Sequence, residues 1–349
     1  MTDPHAPSSN VDTPIATASA SERELPAPIF IFSITRSGST LVQRVLGSYP
    51  EVATVSEPWL LIPLLYTLRR RGVAAEYTHA LAVEAIEDFC RQLPHGVEDY
   101  RAELRRFVVR LYGKAAHDEQ PRYFLDKTPP YFFVVDEILE LFPSARCILL
   151  WRNPLMVLAS LIELDGGVWD PARYRENLFG GLAKLTRALE RHPERLCAVR
   201  YEDLVTGDHA PWRRLTAYLG IEFDEASLTR FADLRLEGRM GDSFGAERYS
   251  ALSTEPLHKW RRRINNPLRK VWADRWLRWL GRERLRVMGY DLDELREDLH
   301  AVANDNAELA ADCRRCARAL MSEPARVTAR RIVGLDGPSS FRYVLDPQD

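Results

Sequence analysis

Short apolar runs of three to seven residues alternate along this chain with segments whose apolar positions repeat every three or four residues. The first run, Pro28 to Ile34 (PIFIFSI), passes through a polar turn at 35–38 into Thr40–Leu46, where the apolar pairs 41/42 and 45/46 share one helical face. Val52 to Val55 predicts a second, shorter strand. Tyr123 to Leu125, Arg146 to Trp151 (RCILLW) and Leu196 to Arg200 predict three more. Helical spacing covers Leu60 to Arg71, Val83 to Leu93, Tyr100 to Ala116, Phe133 to Phe142, Pro211 to Leu219, Pro267 to Met288 and Asn306 to Met321. Asn153-Pro154 opens another helix, because a proline in the first turn lacks only an N–H that would be unpaired anyway. The stretch 234–256 reads as irregular. Strands alternating with helices predict an α/β fold: a P-loop-containing, doubly wound parallel sheet with helices on both faces.

Composition narrows the class only slightly. The 349 residues are 46% hydrophobic and 28% charged, the balance of an ordinary globular protein. Residues 1–25, rich in Ser, Pro, Thr and Ala, read as a disordered tail without the apolar core of a signal peptide or membrane anchor. The main domain is expected over 26–300 and a C-terminal helical extension over 301–349. With 48 basic and 50 acidic residues the net charge is −2, so neither nucleic acid nor a membrane is expected as a partner through global charge. Cysteines at 90, 147, 197, 313 and 316 are odd in number and scattered, and no Asn-x-Ser/Thr site occurs. That pattern predicts a cytoplasmic protein without a disulfide framework.

In an open parallel sheet, ligands bind beyond the carboxyl ends of the strands. All five predicted ends carry polar chemistry: 35–40 (TRSGST), Ser56-Glu57, Asp126-Lys127-Thr128, Arg152, and Tyr201-Glu202-Asp203. The turn 35–40 has the outline of a phosphate cradle, with Gly38 allowing close backbone approach and a helix N-terminus supplying N–H groups. Set against G-x-x-x-x-G-K-[ST], it has Ser39 at the lysine position, and Arg36 sits inside the loop instead. Such a loop suits a 5′-phosphate bearing a substituent better than a triphosphate with Mg²⁺. These six residues alone fit an ordinary strand–helix turn about as well. Arg152 and Ser160, eight positions apart, bring a guanidinium and a hydroxyl toward a second phosphate; a structural ion pair and a solvated serine would leave the same trace.

Together these elements resemble the sulfotransferases that use 3′-phosphoadenosine 5′-phosphosulfate (PAPS). RSGSTL at 36–41 is similar to the 5′-phosphosulfate loop of the tyrosylprotein and carbohydrate enzymes. In the family's order follow Asp126-Lys127-Thr128-Pro129, Phe142-Pro143, Arg152…Ser160, Val199–Leu204, Leu219-Gly220 and His258-Lys259-Trp260, a resemblance spanning roughly 27–292. It implies that Arg36, Ser37, Gly38, Ser39 and Thr40 bind the phosphosulfate and that Arg152 and Ser160 bind the 3′-phosphate. Tyr201 then lies near the nucleotide, with Lys259 and either Ser243 or Ser250 in a late cofactor loop. The histidine base of the cytosolic branch is missing, because Lys127-Thr128 is followed by Pro129. Glu57, 21 residues after Arg36, stands where the other branch carries a glutamate base. The resemblance thus implies in-line transfer to an acceptor hydroxyl, with Glu57 as base, Lys127 and Arg36 stabilising charge, and no metal. The acceptor is left open among small-molecule, carbohydrate and other hydroxyl-bearing compounds, phenols, lipids and secondary metabolites included, and segments 59–116 and 165–177 are expected to build its pocket. A P-loop kinase or triphosphatase, and a catalytically silent nucleotide-binding scaffold, are the competing readings.

Cys313-Arg314-Arg315-Cys316 has no second pair at zinc spacing and is read as coincidence. Trp272, Trp276 and Trp279, at helical spacing, are expected to pack the core.

Overall fold

A computed structural model describes residues 25–116, 121–238, 240 and 251–317. Its centre is a five-stranded, wholly parallel sheet in the order β2-β3-β1-β4-β5. In chain order, β1 (Ala27–Phe32) leads to α1 (Ser39–Gly47) and β2 (Val52–Thr54); α2 (Leu61–Leu65), α3 (His79–Cys90) and α4 (Val97–Ala115) follow. Then come β3 (Tyr123–Asp126), α5 (Val135–Leu141), β4 (Arg146–Trp151), α6 (Pro154–Leu164), α7 (Leu182–Arg191), β5 (Leu196–Arg200), α8 (Tyr201–Val205) and α9 (Ala210–Leu219). Helices Pro267–Val287 and Leu292–Ala301 close the domain, and residues 309–317 are helical as well.

Both faces of the sheet are buried, which explains why its strands are continuous apolar runs. Successive residues of β1 and β4 point to opposite sides. Phe30, Phe32, Cys147, Leu149 and Trp151 join one apolar cluster, and Ile29, Ile31, Ile148 and Leu150 join the other. The first cluster is completed by α4 to α7 and the long helix Pro267–Val287, the second by α1, α8 and α9. Each Leu, Ile or Phe so enclosed contributes about 1.5–3 kcal/mol of burial.

Strands β4 and β5 lie where the apolar runs predict them, and the other three differ by a residue or two at their ends. The largest departure lies between α6 and β5, where no helix was expected. A π-helical turn, Glu176–Gly181, runs directly into α7 there. Leu182, Leu185 and Ala188 of α7 are buried, so a helical repeat was present in the sequence. The expected helix Leu60–Arg71 is instead a short α2 followed by a 3₁₀ turn, Tyr66–Leu68. The helix expected from Phe133 is preceded by a 3₁₀ turn, Pro129–Phe133, whose prolines sit in its first turn. Trp276 is buried, with its indole N–H donating to the Leu178 carbonyl at 3.3 Å. Trp272 meets Trp169 edge to face against the core, whereas Trp279, expected in the core, is 43% exposed and packs edge to face on Phe179 at the surface.

The chain winds from β1 through β2 and β3 on one side of β1, then crosses to β4 and β5 on the other. The loops after β1 and β4 therefore leave toward opposite faces and open a crevice between them.

Candidate active site

The turn after β1 is left-handed at two positions, with φ 71° at Arg36 and 90° at Gly38. A non-glycine residue there costs roughly 1–2 kcal/mol, and such strain collects at binding sites. Turns curled in this way gather backbone N–H groups into an anion-binding concavity. Gly38 caps α1 without a side-chain cap, which leaves the first helical turn facing the crevice. Thr35 is pinned from outside, its N–H donating to the Asn177 carboxamide at 2.8 Å. Gly38 itself lies against the Tyr201 ring, and a Cβ there would sit 2.3 Å from it.

On the other wall, Asn153 caps α6 by accepting from the Leu155 N–H at 2.9 Å, while its own N–H donates to Glu202 at 2.8 Å. This fixes the strand-to-helix corner that carries Arg152. One guanidinium N–H of Arg152 donates to the Arg36 carbonyl at 2.8 Å, and the group lies 4.4 Å over the Tyr201 ring. Two groups at this corner, the Arg152 Nε and the Ser37 hydroxyl, are buried without a hydrogen-bond partner among the described residues. Buried polar groups of this kind are costly unless something satisfies them, and an anion would. Ser160, two turns into α6, accepts from the Arg36 Nε at 3.0 Å. Arg36, Arg152, Ser160, Gly38 and Tyr201 thus form one cluster. The donor set fits a phosphate, because it combines guanidinium, hydroxyl and backbone N–H groups at the head of a helix.

A second cluster stands at the ends of β2 and β3. Lys127, 1% exposed, places its ammonium 2.8 Å from a Glu57 carboxylate oxygen and 3.3 Å from the Thr40 hydroxyl, linking that carboxylate to the first turn of α1. The other Glu57 oxygen accepts from the Trp59 indole N–H at 3.2 Å. Each carboxylate oxygen has two lone pairs, so Glu57 keeps capacity to accept a further proton. Beneath the pair, Asp126 is fully enclosed and accepts from the Tyr112, Tyr131 and Thr128 hydroxyls at 2.7, 2.8 and 3.1 Å. Burial raises its carboxyl to about 6 in spite of those donors. Thr128 in turn accepts from the Trp59 N–H and Tyr131 from the Leu61 N–H, so the segment bearing Glu57 is fastened to the end of β3.

Arg36 turns toward Ser160 rather than toward Glu57 and Lys127, joining the phosphate cluster and not the carboxylate pair. Ser37, Ser39 and Thr40 are buried at the head of α1. Lys259 lies on the exposed side of the short helix Pro256–Lys259, paired with Glu255 at 2.9 Å, and it is not joined to the loop. Ser243 and Ser250 lie outside the described residues. Asn177 was not foreseen, because nothing in a polar residue 142 positions away marks it as a partner of Thr35. A cavity of about 520 Å³ adjoins Trp59, walled by Ile62, Tyr66, Ile86, Pro130 and Phe133 among others. Its walls come from the expected segment 59–116 and from the turn after β3, and none comes from 165–177. Among the described residues no helix is long and apolar enough to cross a membrane.

Comparison with known proteins agrees with this geometry. The nodulation protein NoeE of Sinorhizobium fredii is 28% identical over 262 residues, covering 68% of this chain and 60% of NoeE. A protein-tyrosine sulfotransferase of Drosophila melanogaster is 25% identical over 218 residues, 59% of this chain and 40% of that protein. The chain thus spans less than two thirds of the length of the curated relatives it matches. The sulfotransferase domain of the Synechococcus PCC 7002 olefin synthase shares the fold, with a TM-score of 0.50 at 23% identity over 77% of this chain and 97% of that domain. The family model described as "Sulfotransferase family" matches residues 28–225, more than half of the sequence, and the chain belongs to that family.

Proposed function

We propose that this protein transfers a sulfuryl group from PAPS to an acceptor hydroxyl, with Glu57 as the general base. The observation that carries this reading is the Glu57–Lys127–Thr40 contact, which joins a carboxylate to the anion-binding turn through one buried ammonium. When bound, PAPS supplies a sulfuryl group already attached to a stable phosphate leaving group.

Arg152, Ser160 and Tyr201 hold the 3′-phosphate and adenosine end, the two polar side chains by charge-assisted hydrogen bonds and the tyrosine by packing. Ser37, Gly38, Ser39 and Thr40 present hydroxyl and N–H groups to the 5′-phosphosulfate. The acceptor oxygen forms its bond to sulfur as the bond from sulfur to the 5′-phosphate oxygen breaks, and that electron pair leaves with the phosphate. Glu57 takes the acceptor's proton. Lys127 balances the charge on the sulfuryl oxygens, and Arg36, on the Ser160 side of the turn, that on the departing phosphate, both from fixed positions, which costs little reorganisation. Lys259 and a serine at 243 or 250 complete the donor site in this reading. Transfer of this kind calls for no metal.

The test is thermal stability with 3′-phosphoadenosine 5′-phosphate (PAP) beside AMP, ADP, and ATP with Mg²⁺. At 100 times its dissociation constant PAP adds about 2.7 kcal/mol, a shift of a few degrees, and Arg152→Ala abolishes it. A shift with ATP and Mg²⁺ alone would discard the reading in favour of phosphoryl transfer.

A further inference from the structure

Resting on the proposed transfer, we infer that the acceptor is an uncharged apolar alcohol whose hydrocarbon body fills the cavity beside Trp59 while its hydroxyl meets Glu57. The cavity and the carboxylate share a residue: Trp59 lines the cavity and donates its indole N–H to Glu57 at 3.2 Å. The opposite wall, Pro130 and Phe133, belongs to the turn that directly follows Lys127 and Thr128. Both halves of the carboxylate–ammonium pair therefore continue into the cavity's walls. Its volume of about 520 Å³ lies within the range of pockets that enclose small molecules.

The wall chemistry selects the class. No Asp, Glu, Lys or Arg is among the residues that line the cavity. The polar groups that do line it are mostly engaged elsewhere. The Thr67 hydroxyl donates to the Leu64 carbonyl at 2.6 Å and accepts from Tyr100 at 2.9 Å. The His79 Nε2 is held by the Arg69 carbonyl at 2.9 Å, and the Trp59 N–H is on Glu57; the buried His79 Nδ1 has no hydrogen-bond partner among the described residues. A sugar or peptide would bring several hydroxyl or amide groups against walls with few groups to pair them, whereas an alkyl or aryl body needs no partner. Tyr77, another wall residue, and its neighbour Leu81 are both 62% exposed, extending the apolar surface outward along α3.

The experiment uses the full chain, radiolabelled PAPS and 1-alkanols of increasing length, beside a monosaccharide and a tyrosine peptide. The expected result is that kcat/KM rises roughly fourfold per added methylene until the cavity is full. Ile86→Trp and Ala82→Phe, which fill the cavity, should flatten that series while the PAP-induced thermal shift stays unchanged. A flat series in the unaltered protein, or equal sulfation of the sugar or peptide, would overturn the inference and leave the sulfotransferase reading standing. Calorimetry with 1-decanol on PAP-saturated protein reads the cavity without turnover. Saturable binding lost in Ile86→Trp supports the inference, and no binding in the unaltered protein overturns it. Failure of PAP to stabilise the protein would instead count against the donor site, with decanol binding still reporting on the cavity.

Discussion

Gly38 has no room for a side chain: its φ of 90° is left-handed, and a Cβ would lie 2.3 Å from the Tyr201 ring. Gly38→Ala should therefore lower stability by roughly 2–4 kcal/mol, from backbone strain plus overpacking, and weaken PAP binding with it. Denaturant midpoints with and without PAP would check both effects. Glu57 is a different case, because a glutamine in its place keeps an oxygen that accepts from the Lys127 ammonium, with some loss of stability as that buried cation loses its counter-charge. Glu57→Gln should keep the PAP-induced thermal shift and lose about 10²–10⁴-fold in turnover, read by radiolabelled transfer. Turnover near the unaltered level would remove Glu57 from the chemistry. Asp126 is held above its unfolded value, at about 6 in the fold. Its folded form thus binds its proton more tightly. The stability from this group is present below about pH 4, is lost as pH rises through about 6, and amounts to on the order of 2–3 kcal/mol. Comparing denaturant midpoints of the unaltered protein and Asp126→Asn between pH 4 and 7 isolates that slope, which the variant should lack.

At the scale of elements, the strands were legible because both of their faces are buried, so five apolar runs stand out from their surroundings. Helix α6 was legible from its opening, since Asn153-Pro154 supplies a cap and a preset first turn. Asn153→Ala should cost about 0.5–2 kcal/mol and, because α6 carries Ser160, also weaken PAP binding; calorimetric unfolding and a PAP titration would measure the two. The segment 171–191 was not read as helical. Its π-helical turn interrupts the 3.6-residue period before α7 begins, and the sequence repeat is short. The 3₁₀ turns at 66–68 and 129–133 were likewise merged into longer helices, because i,i+3 spacing is common to both forms.

For the whole molecule, the helical residues 309–317 are bound to the long helix Pro267–Val287 through charge. Arg269 is 1% exposed and meets the fully buried Asp312 through two N–H groups at 2.7 and 3.1 Å, and the Asn266 carboxamide donates to the same carboxylate at 2.8 Å. Removing Asp312 leaves the buried Arg269 with only the half-exposed Glu308, at 2.6 Å, as counter-charge, so Asp312→Ala should cost up to about 3–5 kcal/mol. Calorimetric unfolding would show it, with the transition falling by several degrees.

The five strands, the polar residue at the end of each, and the order of motifs shared with the sulfotransferases could all be read from the residues alone. Those features are local: a strand's burial and a loop's residue types are written within a few positions of each other. Which of them meet depends on how the packed elements cross. The crossing of the chain from β3 past β1 to β4 brings Arg36 to Ser160 and Arg152, 116 or more positions apart. The apolar cavity beside Trp59 was equally hidden, because its walls are drawn from separate turns, and only the packed chain shows how few polar groups face it.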